Sequence, residues 1–318
     1  MTADTEKISE GTIYLLAETG VDRRETETGV RWLQENQIPV SRIVSITSPD
    51  EIAADTYVLL KGDYAYVERM AAALAEQNIP FDYAGNWLGC DIDTGYLQAM
   101  HAREYMDLYQ NKILLARKLP AGIIVRRTAR GERIFTKQNT IRIGSVKYVT
   151  RQLLFILYGN RGYIRVGDDC TFRNCEIEIG TRGHVIIGRD VMVSRGVVLF
   201  QHDGHLIFDA NTGKRLNAGK NIIVGNHVWL GRQCMLLGGA QLPDNTVVGA
   251  KSVTSKQFTE TNTIIAGSPA RVVRRGVLWA RDTTTNDFQN YEECRDQEAV
   301  KYMINDECNE GGGTGTCR

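Results

Sequence analysis

Two hydrophobic patterns divide the chain. In its first part, short apolar runs alternate with stretches of helical periodicity, in the order 12–17, 29–37, 42–47, 56–60 and 66–77. Strands that alternate with helices in this way are typical of a small α/β layer domain with a mainly parallel sheet. The turn after the first run reads ETGVDRR and lacks the GxGxxG glycines, so it does not predict a dinucleotide site.

The second pattern repeats every six residues. Aliphatic residues at this interval are Val224, Leu230, Leu236, Leu242 and Val248. Small residues recur in phase at Val228, Cys234, Ala240, Thr246 and Ser252. A helix needs an apolar period of about 3.6 and a half-buried strand one of about 2, so this period fits neither. It predicts triangular coils that stack by parallel β pairing, with the aliphatic residue inside and the small residue at a corner.

Glycine follows the aliphatic residue in several of these hexads, as at Gly225, Gly231 and Gly249. Because glycine tolerates positive φ angles, we expect turns of that kind at these positions. The stretch 202–221, HDGHLIFDANTGKRLNAGKN, breaks the repeat with polar and glycine-rich sequence. We expect it to leave the coil as a functional loop.

These patterns divide the chain into four parts. We predict an α/β N-terminal domain over 1–111, a basic connecting segment over 112–139, a β-helix over 140–275 and a tail over 276–318. Residues 92–119 keep helical spacing throughout and stop before a proline, so a helix joining the first two parts is expected there.

Composition narrows the class of protein. Of 318 residues, 38 are basic and 38 acidic, and 42% are hydrophobic, which argues against disorder and against a nucleic-acid partner. The charges are segregated, with 19 acidic and 8 basic residues over 1–111 but 13 basic and one acidic residue over 112–165. This basic stretch could face an anionic substrate, an anionic membrane surface or solvent alone. The seven cysteines show no CxxC metal spacing and indicate reduced thiols, and the polar N-terminus shows no secretory signal.

Four segments resemble the hexapeptide-repeat acyltransferases, within them the galactoside, maltose and surface-polysaccharide O-acetyltransferases. They are the loop HDGHLIFDANTGKRLNAGK, then IVGNHVWLG at 223–231, VGAKSVTSK at 248–256 and AGSPARVVR at 266–274. The resemblance implies a left-handed parallel β-helix. The predicted fold is therefore an α+β chain of two parts, in which this β-helix follows the small α/β domain.

The resemblance also implies the chemistry. The family's catalytic histidine lies 24 residues before the tryptophan of the VWIG motif, which is Trp229 in this chain and points to His205. A neutral imidazole can remove the proton of a sugar hydroxyl, which is a poor nucleophile at neutral pH. Trp229 would help to place the substrates. Asp203 would either orient His205 or cap the loop, and His202 and Arg215 are candidate acceptor contacts.

Acetyl-CoA in this family lies between two β-helices of a homotrimer. The matching positions here are Gly231, Ala250, Ser255, Lys256, Arg271 and Arg274. The three cations suit the phosphates of the cofactor. Departures from the family pattern occur at Lys251 and at the pair Thr254 and Ser255.

The sequence leaves alternatives open. An N-acetyltransferase of a nucleotide-linked amino sugar is the second enzyme hypothesis, and a β-helix scaffold is the non-enzyme hypothesis. Zinc binding by the loop histidines His202 and His205 with Asp203 is a weaker hypothesis than their role in catalysis or substrate binding, and no metal is expected. His184 and His227 are expected on the surface, and Cys234 is expected to be a buried structural thiol. We expect a cytoplasmic protein, with peripheral association at the inner membrane through the basic segment as an option.

Overall fold

A computed structural model of the chain describes residues 11–19, 23–35, 40–52, 57–88, 91–107, 109–116, 118–127 and 136–281. Residues 282–318, most of the predicted tail, lie outside this description. The elements of the N-terminal part are β1 Gly11–Ala17, α1 Arg23–Glu35, β2 Val40–Ile46, the 3₁₀ turn Pro49–Glu51, β3 Tyr57–Lys61, α2 Tyr64–Glu76, β4 Phe81–Tyr83, α3 Ala84–Leu88, β5 Asp91–Asp93, α4 Thr94–Ala99 and β6 Glu104–Met106.

The first four strands form one parallel sheet in the order β2-β1-β3-β4. Helix α2 begins at the cap residue Asp63, whose carboxylate accepts a hydrogen bond from the Tyr66 amide at 2.8 Å. The helix buries Val67 and Leu74, and both belong to the core cluster that also contains Leu60 of the sheet. Alternating strands and helices thus form an α/β layer.

The remaining strands form the coils. They are β7 Lys112–Leu115, β8 Ile123–Arg126, β9 Thr140–Ile143, β10 Val146–Val149, β11 Leu153–Leu157, β12 Tyr163–Val166, β13 Cys170–Ile179, β14 His184–Ile187, β15 Met192–Phe200, β16 Ile222–Val224, β17 Trp229–Leu230, β18 Met235–Leu237, β19 Gln241–Leu242, β20 Val247–Val248, β21 Val253–Thr254, β22 Thr263–Gly267 and β23 Ala270–Arg275.

Parallel pairing sorts these strands into the three faces of a β-helix. Face 1 contains β7, β9, β12, β14, β16 and β19. Face 2 contains β10, the first halves of β13 and β15, β17 and β20. Face 3 contains β8, β11, the second halves of β13 and β15, β18 and β21. Antiparallel strands close the described stack, β5 and β6 at one end and β23 at the other.

The six-residue period correctly predicts the interior of the coils. Every aliphatic and small position named for the hexads is at most 2% exposed. A single core cluster runs from the coils into the N-terminal part, from Ile265 at one end to Leu16 at the other. Burial of this continuous apolar column is the main force that holds the stacked coils together.

The prediction for the repeat glycines is wrong. Positive φ angles lie at later corner residues instead, such as Gln233 at 57° and Lys251 at 58°. The glycines are required because successive coils approach closely. A Cβ on Gly231 would lie 2.3 Å from the Val248 carbonyl oxygen, and one on Gly225 would lie 2.4 Å from the Asp244 carboxylate.

The predicted helix over 92–119 is also wrong. Helix α4 ends at Ala99, and the following His101 has a φ of 55°. The later part of the segment contains β6 and β7 instead. Pairing of β7 with β9 buries Ile113, so completing a coil outweighs local helical spacing. The parallel stack therefore starts at Lys112, upstream of residue 140.

Part of the basic segment pairs with the acidic N-terminal part. Lys112 contacts Glu104 at 2.5 Å, and Arg126 contacts Asp91 at 3.2 Å. The guanidinium of Arg127 is buried, donates to Asp107 at 2.9 Å and donates to the carbonyl of Asn86 at 2.7 Å. These ion pairs join the two parts of the chain and account for part of the charge segregation.

Candidate active site

The loop 202–221 leaves the coil after β15 and folds as a short hairpin. The amide of Asp209 donates to the carbonyl of Lys214, and the amide of Leu216 donates to the carbonyl of Ile207. The Asp209 carboxylate accepts from the Thr212 amide at 2.7 Å, which lowers the pKa of this aspartate. The sequence DANTG therefore forms the turn of the hairpin.

Two amide side chains anchor this loop, and the sequence interpretation missed both. Gln201 is buried, and its Oε1 accepts from the Gly180 amide at 3.0 Å. Asn217 accepts from the Ile207 amide at 2.8 Å and donates to the carbonyl of His205 at 2.7 Å. Asn217 therefore ties the backbone of His205 to the hairpin.

A cavity of about 530 Å³ opens beneath the loop. Its lining brings together His202, Asp203, His205 and Arg215, four of the predicted site residues. The guanidinium of Arg215 donates to the carbonyl of Asn217 at 3.2 Å. The other lining residues are Tyr158, Glu178, Gly180, Thr181, Phe200, Gln201, Gly204, Leu206 and Gly219.

His202 lies at the inner wall of the cavity. Its ring centroid is 5.1 Å from that of Tyr158 and 4.9 Å from that of Phe200. The Gly204 amide donates to Nδ1 at 3.0 Å, so the neutral ring carries its proton on Nε2. The Nε2 atom is buried as well, so neither ring nitrogen is open to a substrate hydroxyl and His202 is not placed to act as the base.

His205 lies at the exposed rim of the same cavity. Between the two histidines, Gly204 adopts a φ of 71°, a conformation that favours glycine. The His205 amide donates to the Asp203 carbonyl at 2.8 Å, a bond between their backbones. Orientation of the imidazole by the Asp203 carboxylate stays a prediction.

Glu178 adds a titratable group that the sequence interpretation missed. Burial, together with a hydrogen bond to Glu176 and the proximity of its charge, raises the pKa of Glu178 to about 8. The signal was present in the sequence, because two glutamates in alternate positions of a strand point to the same side. The pair Glu176 and Glu178 therefore favours the uptake of one proton at the cavity wall.

Trp229 lies on face 2, and it does not line the cavity. Its side chain is 37% exposed, as its outward position predicted, and its Nε1 donates to the hydroxyl of Ser194 at 3.2 Å. Gly231 and Ala250 follow the strands of the same face. The structure thus separates the predicted tryptophan from the predicted base within one chain.

The predicted phosphate-binding cations are exposed. Arg271 and Arg274 lie on β23, and Lys256 follows Ser255 just after β21. Within the described part of the chain, none of these three cations forms an ion pair, whereas the neighbouring Arg275 donates to Glu260 at 2.9 Å. They are available to an anionic ligand.

Two expectations outside the cavity have different outcomes. Cys234 is fully buried, and burial raises the pKa of its thiol to about 12, as expected of a structural cysteine. His227 is not a plain surface residue, because it is half-buried and its Nδ1 contacts the Asp190 carboxylate at 2.5 Å. Its other partner lies 52 residues further along the chain, which no local pattern reveals.

The described residues contain no group of three or more histidine, cysteine, aspartate or glutamate side chains that could hold a metal ion. None of the helices that the structure describes is long and apolar enough to cross a bilayer.

The structure thus shows a parallel β-helix whose stacked hexapeptide coils carry a histidine-bearing loop over a cavity. Two relatives are named polysialic acid O-acetyltransferases. The one from Escherichia coli O1:K1 is 30% identical over 144 residues, 45% of this chain and 44% of the relative. The one from Neisseria meningitidis is 42% identical over 127 residues, 37% of this chain and 59% of the relative. The resemblance to the O-acetyltransferases is therefore confirmed.

The chain spans about half the length of the curated relatives it matches. A crystal structure of a polysialic acid O-acetyltransferase aligns with a TM-score of 0.47 and 27% identity, over 61% of this chain and 85% of the other. No protein-family model matches the chain.

Proposed function

We propose that the protein is an acetyl-CoA-dependent O-acetyltransferase that modifies a sugar hydroxyl of a surface polysaccharide or its precursor. The observation that carries this proposal is the cavity beneath the loop, which brings His205 together with His202 and Arg215. The names of the relatives support the reaction, and the exposed cations support the donor. The coils would wind with the left hand of the family.

The proposed transfer is direct. His205 removes the proton of the acceptor hydroxyl while the hydroxyl oxygen attacks the thioester carbonyl of acetyl-CoA. The tetrahedral oxyanion collapses to the ester and releases the CoA thiolate, which takes the proton back from the imidazolium. His202 would contact the acceptor at the inner wall of the cavity, where its Nε2 is buried. Trp229 would place the substrates, and Asp203 would orient His205.

Lys256, Arg271 and Arg274 would hold the phosphates of acetyl-CoA, and Gly231, Ala250 and Ser255 would line its path. Forked and fixed cations suit phosphate groups. The donor supplies an activated acetyl group, and the chain supplies binding, orientation and the base. The use of acetyl-CoA favours a cytoplasmic location, with peripheral membrane association through the basic segment as the accompanying hypothesis.

A complete site would need two chains of a homotrimer. His205 lies at the loop cavity and Trp229 on face 2, so neither surface of one chain contains both groups. The hairpin also leaves Leu206, Phe208 and Leu216 more than half exposed. An apolar patch of this kind on a loop is suited to a protein partner. A second copy would bury it and bring its own Trp229 to the cavity.

An acidic glycan is the acceptor that the surface favours. Four arginines lie near the same corner of the β-helix, on successive coils: Arg151, Arg173, Arg195 and Arg232. The strand register places Arg195 level with Asn174 of the preceding coil and with Arg232 of the following coil. All four arginines are exposed, and none forms an ion pair within the described residues. Successive coils are about 4.8 Å apart, so the corner presents a line of positive charge to a linear polyanion.

The function is tested by CoA release from acetyl-CoA with a panel of acidic and neutral glycans. We expect release with an acidic glycan and a stable ester in the product by mass spectrometry. Binding of acetyl-CoA without turnover of any glycan or amino sugar would contradict the proposed transfer. Turnover of a nucleotide-linked amino sugar alone would favour N-acetylation.

A further inference from the structure

The chain just after β23 folds back onto face 2. Trp279 is only 7% exposed, its ring stacks on His227 with centroids 4.1 Å apart, and its Nε1 donates to the His227 carbonyl at 3.0 Å. Arg281 donates to the Asp190 carboxylate at 2.7 Å and to the Thr171 hydroxyl at 2.8 Å. We name His227, Asp190, Trp279 and Arg281 the C-terminal clasp.

The hydrogen bonds of the clasp define the charge of His227. Its Nδ1 is 2.5 Å from the Asp190 carboxylate, and its Nε2 is 3.0 Å from the carbonyl oxygen of Trp279. Both partners are acceptors, so both ring nitrogens must carry protons. Burial favours the neutral ring, but these two bonds and the nearby Asp190 charge outweigh it and raise the pKa of His227. The ring is therefore an imidazolium in the clasped state.

The clasp lies beside Trp229. The ring centroids of Trp229 and Trp279 are 6.0 Å apart, with an interplanar angle of 44°, within the range of a tilted aromatic contact. At its other end, the Trp229 indole is tied to Ser194. Because Trp229 is partly exposed, these two contacts are what restrict its ring on the solvent side of face 2.

We propose that Trp279 and His227 are positioning residues, which hold the Trp229 ring in the orientation that the acetyl transfer requires, and that loss of a proton from His227 releases it. This inference rests on the proposed function for its catalytic consequence. Neutral His227 can donate from only one nitrogen, so its other nitrogen would face either the Asp190 carboxylate or the Trp279 carbonyl without a proton. The clasp is therefore complete below the pKa of His227 and opens as the pH rises through it.

Among the residues that the structure describes, no other group that faces the clasp accounts as well for such a transition. The described charged and titratable groups around His227 include Asp190, Arg281, Asp169, Arg189, Lys147 and Cys170. Burial raises the pKa of Cys170 to about 12, and His227 and Arg281 lower the pKa of Asp190 despite its burial. Arginine and lysine keep their charge across the neutral range. A titration near neutral pH that reaches both indoles would thus report His227.

The clasp can be tested without activity, from the indole N–H signals of the full chain in nitrogen-15 NMR. Trp229→Phe and Trp279→Phe assign the two signals. Between about pH 6 and about pH 9 we expect both to shift with one shared midpoint above the ordinary histidine value of about 6.5. His227→Asn should abolish the transition, and Asp190→Asn should lower its midpoint. Both positions have positive φ angles that asparagine tolerates, so the corners should keep their backbone. His184→Asn, on exposed face 1, is the matched control.

Kinetics test the positioning role. We expect Trp279→Ala to lower kcat by about tenfold while the KM for acetyl-CoA stays unchanged, since misplacement of a substrate-orienting group acts on the reacting complex. Trp279→Phe, which keeps a ring for stacking, should restore most of kcat, and the alkaline limb of the pH profile should follow the indole midpoint. A Trp229 indole signal that does not shift as His227 titrates would overturn the proposal, as would an unchanged kcat in Trp279→Ala. The two indole signals could also shift together in a protein that transfers acetyl to no acceptor. That result would overturn the catalytic role together with the proposed function, and it would leave the clasp as a structural device.

Discussion

The loop cavity and face 2 hold histidines in opposite surroundings. At the cavity, His205 is exposed on a hairpin whose apolar side chains face solvent. On face 2, His227 is half-buried between a carboxylate, a carbonyl and a stacked indole. An open histidine can exchange a proton with a substrate, whereas a doubly bonded imidazolium can only hold neighbours in place. This difference supports the proposals that His205 carries the chemistry, that His227 has a positioning role, and that each site is made from two chains.

The largest expected effect separates the two loop histidines. We predict that His205→Ala lowers kcat by roughly 10²–10⁴-fold, the range for loss of a general base. His202→Ala should cost less, because Nδ1 of this ring already accepts the Gly204 amide and its Nε2 is buried. The measurement is steady-state CoA release, with His184→Ala as the control. Transfer at the wild-type rate by His205→Ala would remove the base from the loop.

A smaller effect is expected for the cations at the end of the β-helix. Lys256→Ala or Arg274→Ala should weaken CoA binding by about tenfold, the typical worth of a charge-assisted hydrogen bond. Calorimetry in increasing salt should show a shallower loss of affinity for these variants than for wild type. Arg142→Ala on face 1 is a matched control, because this arginine is also exposed. Equal affinities across the set would place the phosphates elsewhere.

The corner that carries Arg151, Arg173, Arg195 and Arg232 should affect acidic acceptors only. We predict that Arg195→Gln combined with Arg232→Gln raises the KM for an acidic glycan severalfold, with a reduced dependence on salt, because screened charges act mainly on encounter. A neutral glycan oligomer with the same hydroxyl is the control substrate. A change of the same size for both acceptors would argue that the corner does not select for charge.

The smallest predicted effect concerns Glu178. Its folded pKa of about 8 lies above the unfolded value, so the folded chain keeps a proton that the unfolded chain loses. Stability should therefore fall as the pH rises from about 4.5 towards about 8. Glu178→Gln should raise Tm at pH 8 relative to wild type and leave it similar near pH 4.5. Parallel Tm curves for the two proteins would contradict the shared proton.

The coils were predictable because the buried positions of each hexad follow from its own sequence. The aliphatic residues Val224, Leu230, Leu236, Leu242 and Val248 recur every six residues, and the structure buries all five. The helix expected over 92–119 fails for the opposite reason, since the strand at Lys112–Leu115 depends on pairing with Thr140–Ile143. The spacing of apolar residues within 92–119 gives no information about that partner strand.

The candidate site shows the same limit. The break in the repeat is a local signal that singled out the loop with His202, His205 and Arg215, and these three residues line one cavity. The choice of His205 as the base came from the resemblance to the family. The clasp joins His227 to Trp279 over 52 residues, and no periodicity links those positions. Asn217 was missed because an asparagine in a polar loop has no distinguishing pattern. Its role appears only in its bonds to Ile207 and His205.

In the proposed site, the loop of one chain and face 2 of another act together. We would co-refold His205→Ala with Trp229→Ala, each of which we expect to lose most of its activity, and measure CoA release. In randomly mixed trimers, about a quarter of the sites would combine an intact loop with an intact tryptophan from the neighbour. We expect recovery of activity towards that fraction, with no recovery when either variant is refolded alone. A mixture as inactive as its components, with mixed trimers verified by mass, would contradict it.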